Sequence, residues 1–185
     1  MQNCNADHPD PSQISKDAGQ KTLRRATTAD VTIIRALTRA AYTKWVPLLG
    51  REPRPMIADY GAAVRNHIID LLRVDGAAAA LIEMAPSADH LLIVNIAVAP
   101  NHQGRGHGRA LMAHAEEVAR TLNLSEMRLY TNALFAENIR LYSRLGYRVD
   151  REEEHAQFGM TVYMSKRLDT DNALGNDHSS SGTSP

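Results

Sequence analysis

Cysteine is almost missing from this chain of 185 residues: Cys4 is the single one, which excludes an intrachain disulfide and a multi-cysteine zinc site. Net charge is missing too, since 21 Lys and Arg balance 21 Asp and Glu. A broad basic surface of the kind that binds nucleic acid is therefore not expected. No apolar run approaches the roughly 18 to 20 residues that a membrane helix requires, the longest, 91–98, being interrupted by Asn95. The opening MQNCNADHPDPS has neither a basic start nor an apolar core, so a secretory signal is not expected. What remains has the ordinary composition of a soluble, cytoplasmic protein, 43% hydrophobic and 23% charged.

The neutral total is a sum over unlike parts. Residues 1–20 carry −2 and residues 169–185 carry −3, leaving +5 on residues 21–168. Both ends are rich in Asn, Asp, Ser, Gly and Pro and cannot bury enough apolar surface to offset the entropy of ordering, so both are expected to be disordered tails. The expected folded unit is one domain over 21–168.

Within that unit the pattern predicts a strand at 23–26 and an amphipathic helix over 29–43 with Thr28 as its cap. A loop follows over 47–55, then helix from 57 to 66. Residues 68–74 and 77–84 read as a hairpin around Asp75-Gly76, and 91–98 as a strand covered on both faces. A glycine-rich turn leads into a helix ending near Leu122, then come a strand at 127–131, a helix at 136–145 and strands at 147–151 and 160–164. The fold class is a mixed α/β one, a central and mostly antiparallel sheet with flanking helices and one βαβ unit.

The segment IAVAPNHQGRGHGRALM, 96–112, carries the chemistry. A buried strand runs through Gly104, Gly106 and Gly108 into a helix whose first N–H groups have no partners within the helix and whose dipole is positive there, with Arg105 and Arg109 adding charge. Such a turn suits a phosphate or diphosphate. It is not a Walker loop, which needs G-x-x-x-x-G-K-[ST], nor a G-x-G-x-x-G dinucleotide fingerprint near a first strand.

What stands there is Q-x-x-G-x-G (Gln103, Gly106, Gly108) after a strand ending A-V-x-P, and downstream ENIRLYSRLGYR, 137–148, carries N-x-x-x-Y and L-G-Y. The two motifs, in this order on this element pattern, resemble the GNAT superfamily of GCN5-related N-acetyltransferases over about 22–167. The resemblance implies acetyl-CoA as co-substrate, no metal, and direct transfer of the acetyl group to a primary amine of a small molecule or peptide. Neither nucleic acid nor membrane is implied as partner, and a homodimer is compatible with it.

It also implies site residues. The backbone of Ile96, Ala97 and Val98 would pair with the pantetheine arm like an added strand. Behind Gln103, the amides of Gly104, Arg105, Gly106, His107, Gly108 and Arg109 would hold the pyrophosphate. Asn138 would contact the cofactor, and the Tyr142 phenol would protonate the departing thiolate. By position alone, Tyr142 also suits a core aromatic and Asn138 a surface residue.

No general base stands out. Leu92, Val94 and Ile96 are apolar, and Tyr130 occupies the place on the next strand where an acid would be sought. Glu83, His90 and His155 are candidates, against a solvated surface role for each; a water chain would serve as well. Tyr42, Trp45, Met56 and Tyr60 flank the first loop and either select the acceptor or cap the core. Glu152, Glu153 and Glu154 read as a solvated charge run. Two alternatives stay open: a non-enzymatic CoA-binding regulatory module of the same fold, and a nucleotide-binding α/β protein of another class.

Overall fold

The computed structural model describes residues 20–169. The expected disordered tails lie outside the described residues, apart from Gln20 and Asp169. Seven strands form one sheet: β1 (Lys21–Arg25), β2 (Ile68–Val74), β3 (Ala77–Pro86), β4 (Leu91–Val98), β5 (Glu126–Asn132), β6 (Arg148–His155) and β7 (Gly159–Arg167), in the spatial order β1-β2-β3-β4-β5-β7-β6. Every pairing is antiparallel except that of β4 with β5. The parallel step needs a crossover, which α4 (His107–Thr121) supplies. Three further helices precede β2, namely α1 (Val31–Tyr42), α2 (Val46–Leu49) and α3 (Tyr60–Asn66), and α5 (Ala136–Arg144) precedes β6.

Helices cover both faces. On one, Leu111, Met112 and Ala115 of α4 bury Ile82, Met84, Leu91, Met127 and Met164 of the sheet, with Ile139 and Tyr142 of α5 packed alongside. On the other, Ile34 and Leu37 of α1 and Tyr60 of α3 cover Ile69, Leu71, Leu81 and Ala97. The charged edge strand β6 is exposed up to the half-buried His155, and Glu152, Glu153 and Glu154 pair there with β7. Charge on an edge strand discourages pairing with a second sheet.

Three local expectations need correction. The helix cap is Thr27 rather than Thr28: the Thr27 amide donates to Asp30 Oδ2 (2.8 Å), and a 3-10 turn over Thr28–Asp30 leads into α1. Residues 47–55 are not all loop, because Pro47 sits in the first turn of α2, where its missing N–H is not needed, and Gly50 ends that turn with left-handed backbone. The helix expected from Ile57 begins at Tyr60, where Asp59 Oδ1 accepts the Ala62 amide (3.1 Å).

One irregularity decides where the site lies. On β4, Asn95 faces Glu83 of β3 but Ile93 faces Met84, so Val94 is an extra residue, a β-bulge. A bulge resets the alternation of side chains. Leu91 and Ile93 face α4, and so do Ile96 and Val98, whereas Ala97 turns to the α1 side. The pairing of β4 with β5 covers only Leu91–Ile93 against Met127–Leu129. Past that point β5 continues to Asn132 along β7, and the two parallel strands part.

Candidate active site

The parted strands open a cleft that is read as two adjoining cavities. The first, a groove of about 650 Å³, runs from Ile96 and Val98 over Gln103, Gly104 and Gly106 to the start of α4. The second lies between Val94–Ile96 of β4 and Tyr130–Asn132 of β5, under Arg51 and Arg54. Tyr42, Ile96, Asn138 and Tyr142 line both and so mark their junction.

The groove is built largely from backbone. The Ala99 amide bonds Ala79 of β3 (2.9 Å), so by strand alternation the amides and carbonyls of Ile96 and Val98 point the other way, across the cleft. The Ile96 carbonyl accepts the Tyr42 hydroxyl (3.3 Å) and the Val98 carbonyl accepts Gln103 Nε2 (3.0 Å), which ties the loop to the strand. Gly104 and Gly106 take φ values of 74° and 79°, in the left-handed region where any side chain is strained. Gly106 is the cap of α4, and no side chain caps that helix. The first intrahelical bond of the turn is from the Ala110 amide to the Gly106 carbonyl (3.0 Å), so the amides of His107, Gly108 and Arg109 are free of intrahelical partners. These uncapped donors beside side-chain-free positions fit a diphosphate.

The expected site residues fall into three groups. Ile96, Val98, Gln103, Gly104, Gly106, His107, Gly108, Arg109, Asn138 and Tyr142 converge on the groove. Ala97 contributes backbone only, its methyl being buried under α1. The Arg105 side chain does not line the groove, and the cationic side chains there are Lys44, Arg109 and Arg144, with Glu137 beside them. The His107 ring is buried beside His102 (5.9 Å between centroids), and burial, then Lys21, His102 and Arg105, hold its pKa below the usual histidine range. His107 therefore offers its amide, not an imidazolium. A Cβ at Gly108 would lie 3.9 Å from Leu141 of α5, an ordinary contact, so packing within the chain does not demand glycine there.

Tyr142 stands at the junction, and its hydroxyl makes no hydrogen bond to any described residue. Burial pushes its pKa up to about 12, so the phenol keeps its proton at neutral pH. The Tyr42 hydroxyl is likewise held neutral by burial and donates to Asn95 Oδ1 (2.9 Å), whose Nδ2 donates to the Tyr60 hydroxyl (3.2 Å). Trp45, on the groove wall, packs on Phe135 of the second cavity (4.3 Å between centroids), while Met56 is core. The four aromatic and methionine candidates thus divide between cleft wall and packing.

Of the three base candidates, only Glu83 borders the cleft. It is 3% exposed, bonds His67 Nδ1 (2.7 Å), and lines a third lobe that shares Arg54, Asn95 and Tyr130 with the second cavity. His90 is occupied by Asp89 at the far end of β4, and His155 by Tyr163 near the β6–β7 turn. Sequence reasoning missed two features. The bulge at Val94 has no signal in an apolar run, and the approach of Arg51, Arg54 and Phe158 joins segments about 100 residues apart.

The acetyltransferase (GNAT) family model matches residues 34–147, more than half of the chain. The chain belongs to this family. It is an acyltransferase. The chain resembles streptothricin acetyltransferase from Streptomyces lavendulae, with 40% identity over 57 residues, 31% of this chain and 30% of that relative's length. Its fold is that of the ribosomal-protein-S18-alanine N-acetyltransferase from Escherichia coli (TM-score 0.68, 19% identity, 84% of this chain and 99% of that one). The Paia N-acetyltransferase from Thermoplasma acidophilum, solved in complex with coenzyme A, is similar too (TM-score 0.67, 14% identity, 80% and 99%). Among the described residues no helix is long and apolar enough to cross a membrane, and no group of three His, Cys, Asp or Glu could hold a metal ion.

Proposed function

We propose that this acyltransferase moves an acetyl group from acetyl-CoA directly to a primary amine of a small molecule or peptide, the two substrates meeting where the cavities join. The observation that carries this reading is the shared wall: Tyr142 and Asn138 of α5 and Ile96 of β4 border both the groove that fits a diphosphate and the cavity beyond it.

Acetyl-CoA supplies an acyl group already activated as a thioester. The amides at 104–109 and the Arg109 side chain bind its phosphates, and the free edge of β4 at Ile96–Val98 holds the arm as an added strand would. Asn138, at the mouth of both cavities, orients it. Backbone N–H groups on the same edge stabilise negative charge growing on the acyl oxygen. Direct transfer forms the C–N bond, breaks the C–S bond and leaves a thiolate; Tyr142 gives that sulfur its proton and regains one from solvent before the next turnover. A phenol pushed up to about 12 remains a proton donor throughout the physiological range. The proton lost by the amine passes to water, with Glu83 and His67 in the neighbouring lobe as its acceptors. Both substrates are water-soluble, and the same reading places the enzyme in the cytoplasm.

The test is steady-state kinetics with both substrates varied, following release of the CoA thiol. Direct transfer predicts intersecting double-reciprocal lines. Parallel lines would mean a covalent acyl-enzyme, and an absence of acetyl-dependent thiol release with every amine would remove the reading altogether.

A further inference from the structure

The second cavity has a charge that a simple amine acceptor does not call for. Among the described residues its wall carries two guanidinium groups, Arg51 and Arg54, and no Asp, Glu or His. Both lie over the Phe158 ring, at 5.4 and 4.4 Å from its centroid, and Arg54 is also 5.9 Å from that of Tyr130. A guanidinium held by its face keeps the N–H fork at its edge available. Among the described residues Arg51 donates only to the Glu52 backbone carbonyl (3.3 Å), and Arg54 makes no hydrogen bond or ion pair.

The nearby carboxylates are committed elsewhere. Glu52 binds Arg39 (2.6 Å), Glu83 binds His67, and Asp59 caps α3. The platform itself is fixed to the sheet, since Asn132 Nδ2 donates to the Phe158 carbonyl (2.8 Å) and the Phe158 amide to that of His155 (3.0 Å).

Two unpaired cations would repel a plain ammonium and repel a polycation more. They would hold an oxoanion well, through charge-assisted and bidentate bonds. Resting on the acetyl-transfer reading above, we propose that the acceptor is an amine whose own molecule carries a carboxylate or phosphate, and that Arg51 and Arg54 on the Phe158 ring hold this oxoanion while the amine reaches the Tyr142 junction. Polyamines and aminoglycoside-like polycations are then poor acceptors.

Matched acceptors that differ only in that charge test the proposal: amino acids against their amides, phosphoethanolamine against ethanolamine, and spermidine as the polycation, all at saturating acetyl-CoA. The charged member of at least one pair should have kcat/KM at least about tenfold above its neutral partner, the preference expected from one charge-assisted contact. Amino-acid amides lose their ammonium proton more readily than the acids do, so intrinsic reactivity runs against this result. A preference within the amino-acid pairs identifies a carboxylate; one within the phosphoethanolamine pair identifies a phosphate.

Arg54→Gln should reduce use of the charged member, through KM, far more than that of the neutral one, and Arg54→Glu should reverse the order. Equal or better use of every neutral partner, a preference for spermidine, equal losses on both members in the arginine variants, or no turnover of any acceptor by a protein that binds acetyl-CoA would overturn the proposal. Failure of acetyl-CoA to bind at all, read separately by calorimetry, would instead overturn the transfer reading beneath it.

Discussion

The two ends of the cleft are built by different means. At the groove end the ligand-facing groups are backbone: free amides at the start of α4, left-handed glycines at 104 and 106, and the open edge of β4. At the other end, proposed to take the acceptor, they are side chains: Arg51 and Arg54 from the α2–α3 connection, Tyr130 from β5, and Phe158 from the β6–β7 turn. Backbone groups are nearly insensitive to the identity of most residues around them, so such an end suits a ligand that stays the same. Side chains on separate loops can be exchanged one at a time, so the other end can change its ligand without disturbing the sheet.

The largest effect should come from the residue at the seam. Tyr142→Phe removes the hydroxyl proposed to protonate the thiolate but leaves the ring, so kcat should fall on the order of 10²-fold while KM for acetyl-CoA hardly moves. Because burial pushes the phenol up to about 12, wild-type kcat should show no alkaline loss from this group until the pH nears that value. An unchanged kcat in the variant would mean that another donor serves and that the seam is only packing.

Next comes the groove end alone. Gly106→Ala puts a Cβ on backbone at φ 79°, at a cost of roughly 1–2 kcal/mol that ligand binding or the helix start must absorb. KM for acetyl-CoA should rise about tenfold and KM for the amine should stay put. Gly108→Ala, with an ordinary 3.9 Å contact and no positive φ, should do much less. If both substitutions shift the acceptor KM, the two ends are not separable.

The sequence makes these two ends unequally visible. The glycine turn of the groove lies in one contiguous stretch whose spacing dictates the backbone, so Gly104, Gly106 and the start of α4 could be picked out before any coordinates, whereas the Arg105 side chain points elsewhere than the groove. Strands β2, β4 and the Asp75-Gly76 hairpin were equally plain, because apolar runs bounded by turn residues leave little choice. The acceptor end was not legible. Phe158 reaches Arg54 only because β7 folds back beside β5, a non-local pairing with no local signature. The bulge at Val94, which parts the strands and sends Asn95 to the Tyr42–Tyr60 side, leaves an apolar run looking like any other. Glu83 could be named from its type, but its burial against His67 depends on the turn between α3 and β2.

The smallest effect on activity should come from a residue that belongs to neither end. Asp30 is buried, accepts Arg24 at both oxygens (2.6 and 2.9 Å) and the Thr27 amide, and joins β1 to the start of α1. The Arg24 hydrogen bonds hold its pKa well below the usual carboxylate range. A lowered folded-state pKa means that this stabilisation is complete above the unfolded value, about 3.9, and is lost as pH falls below it. Asp30→Asn should lower Tm by several degrees at neutral pH, should flatten the fall in Tm below about pH 4, and should leave both KM values alone. A change in either KM would tie this corner of the fold to the cleft.

The central claim is that the start of α4 and the open edge of β4 form an acyl-CoA site. Calorimetric titration of acetyl-CoA into the wild-type chain and into Gly106→Ala tests it most directly. The account predicts one saturable site per chain in the wild type, weakened about tenfold in the variant, the equivalent of roughly 1.4 kcal/mol. No binding to the wild type at millimolar ligand, or equal binding to both proteins, would contradict it.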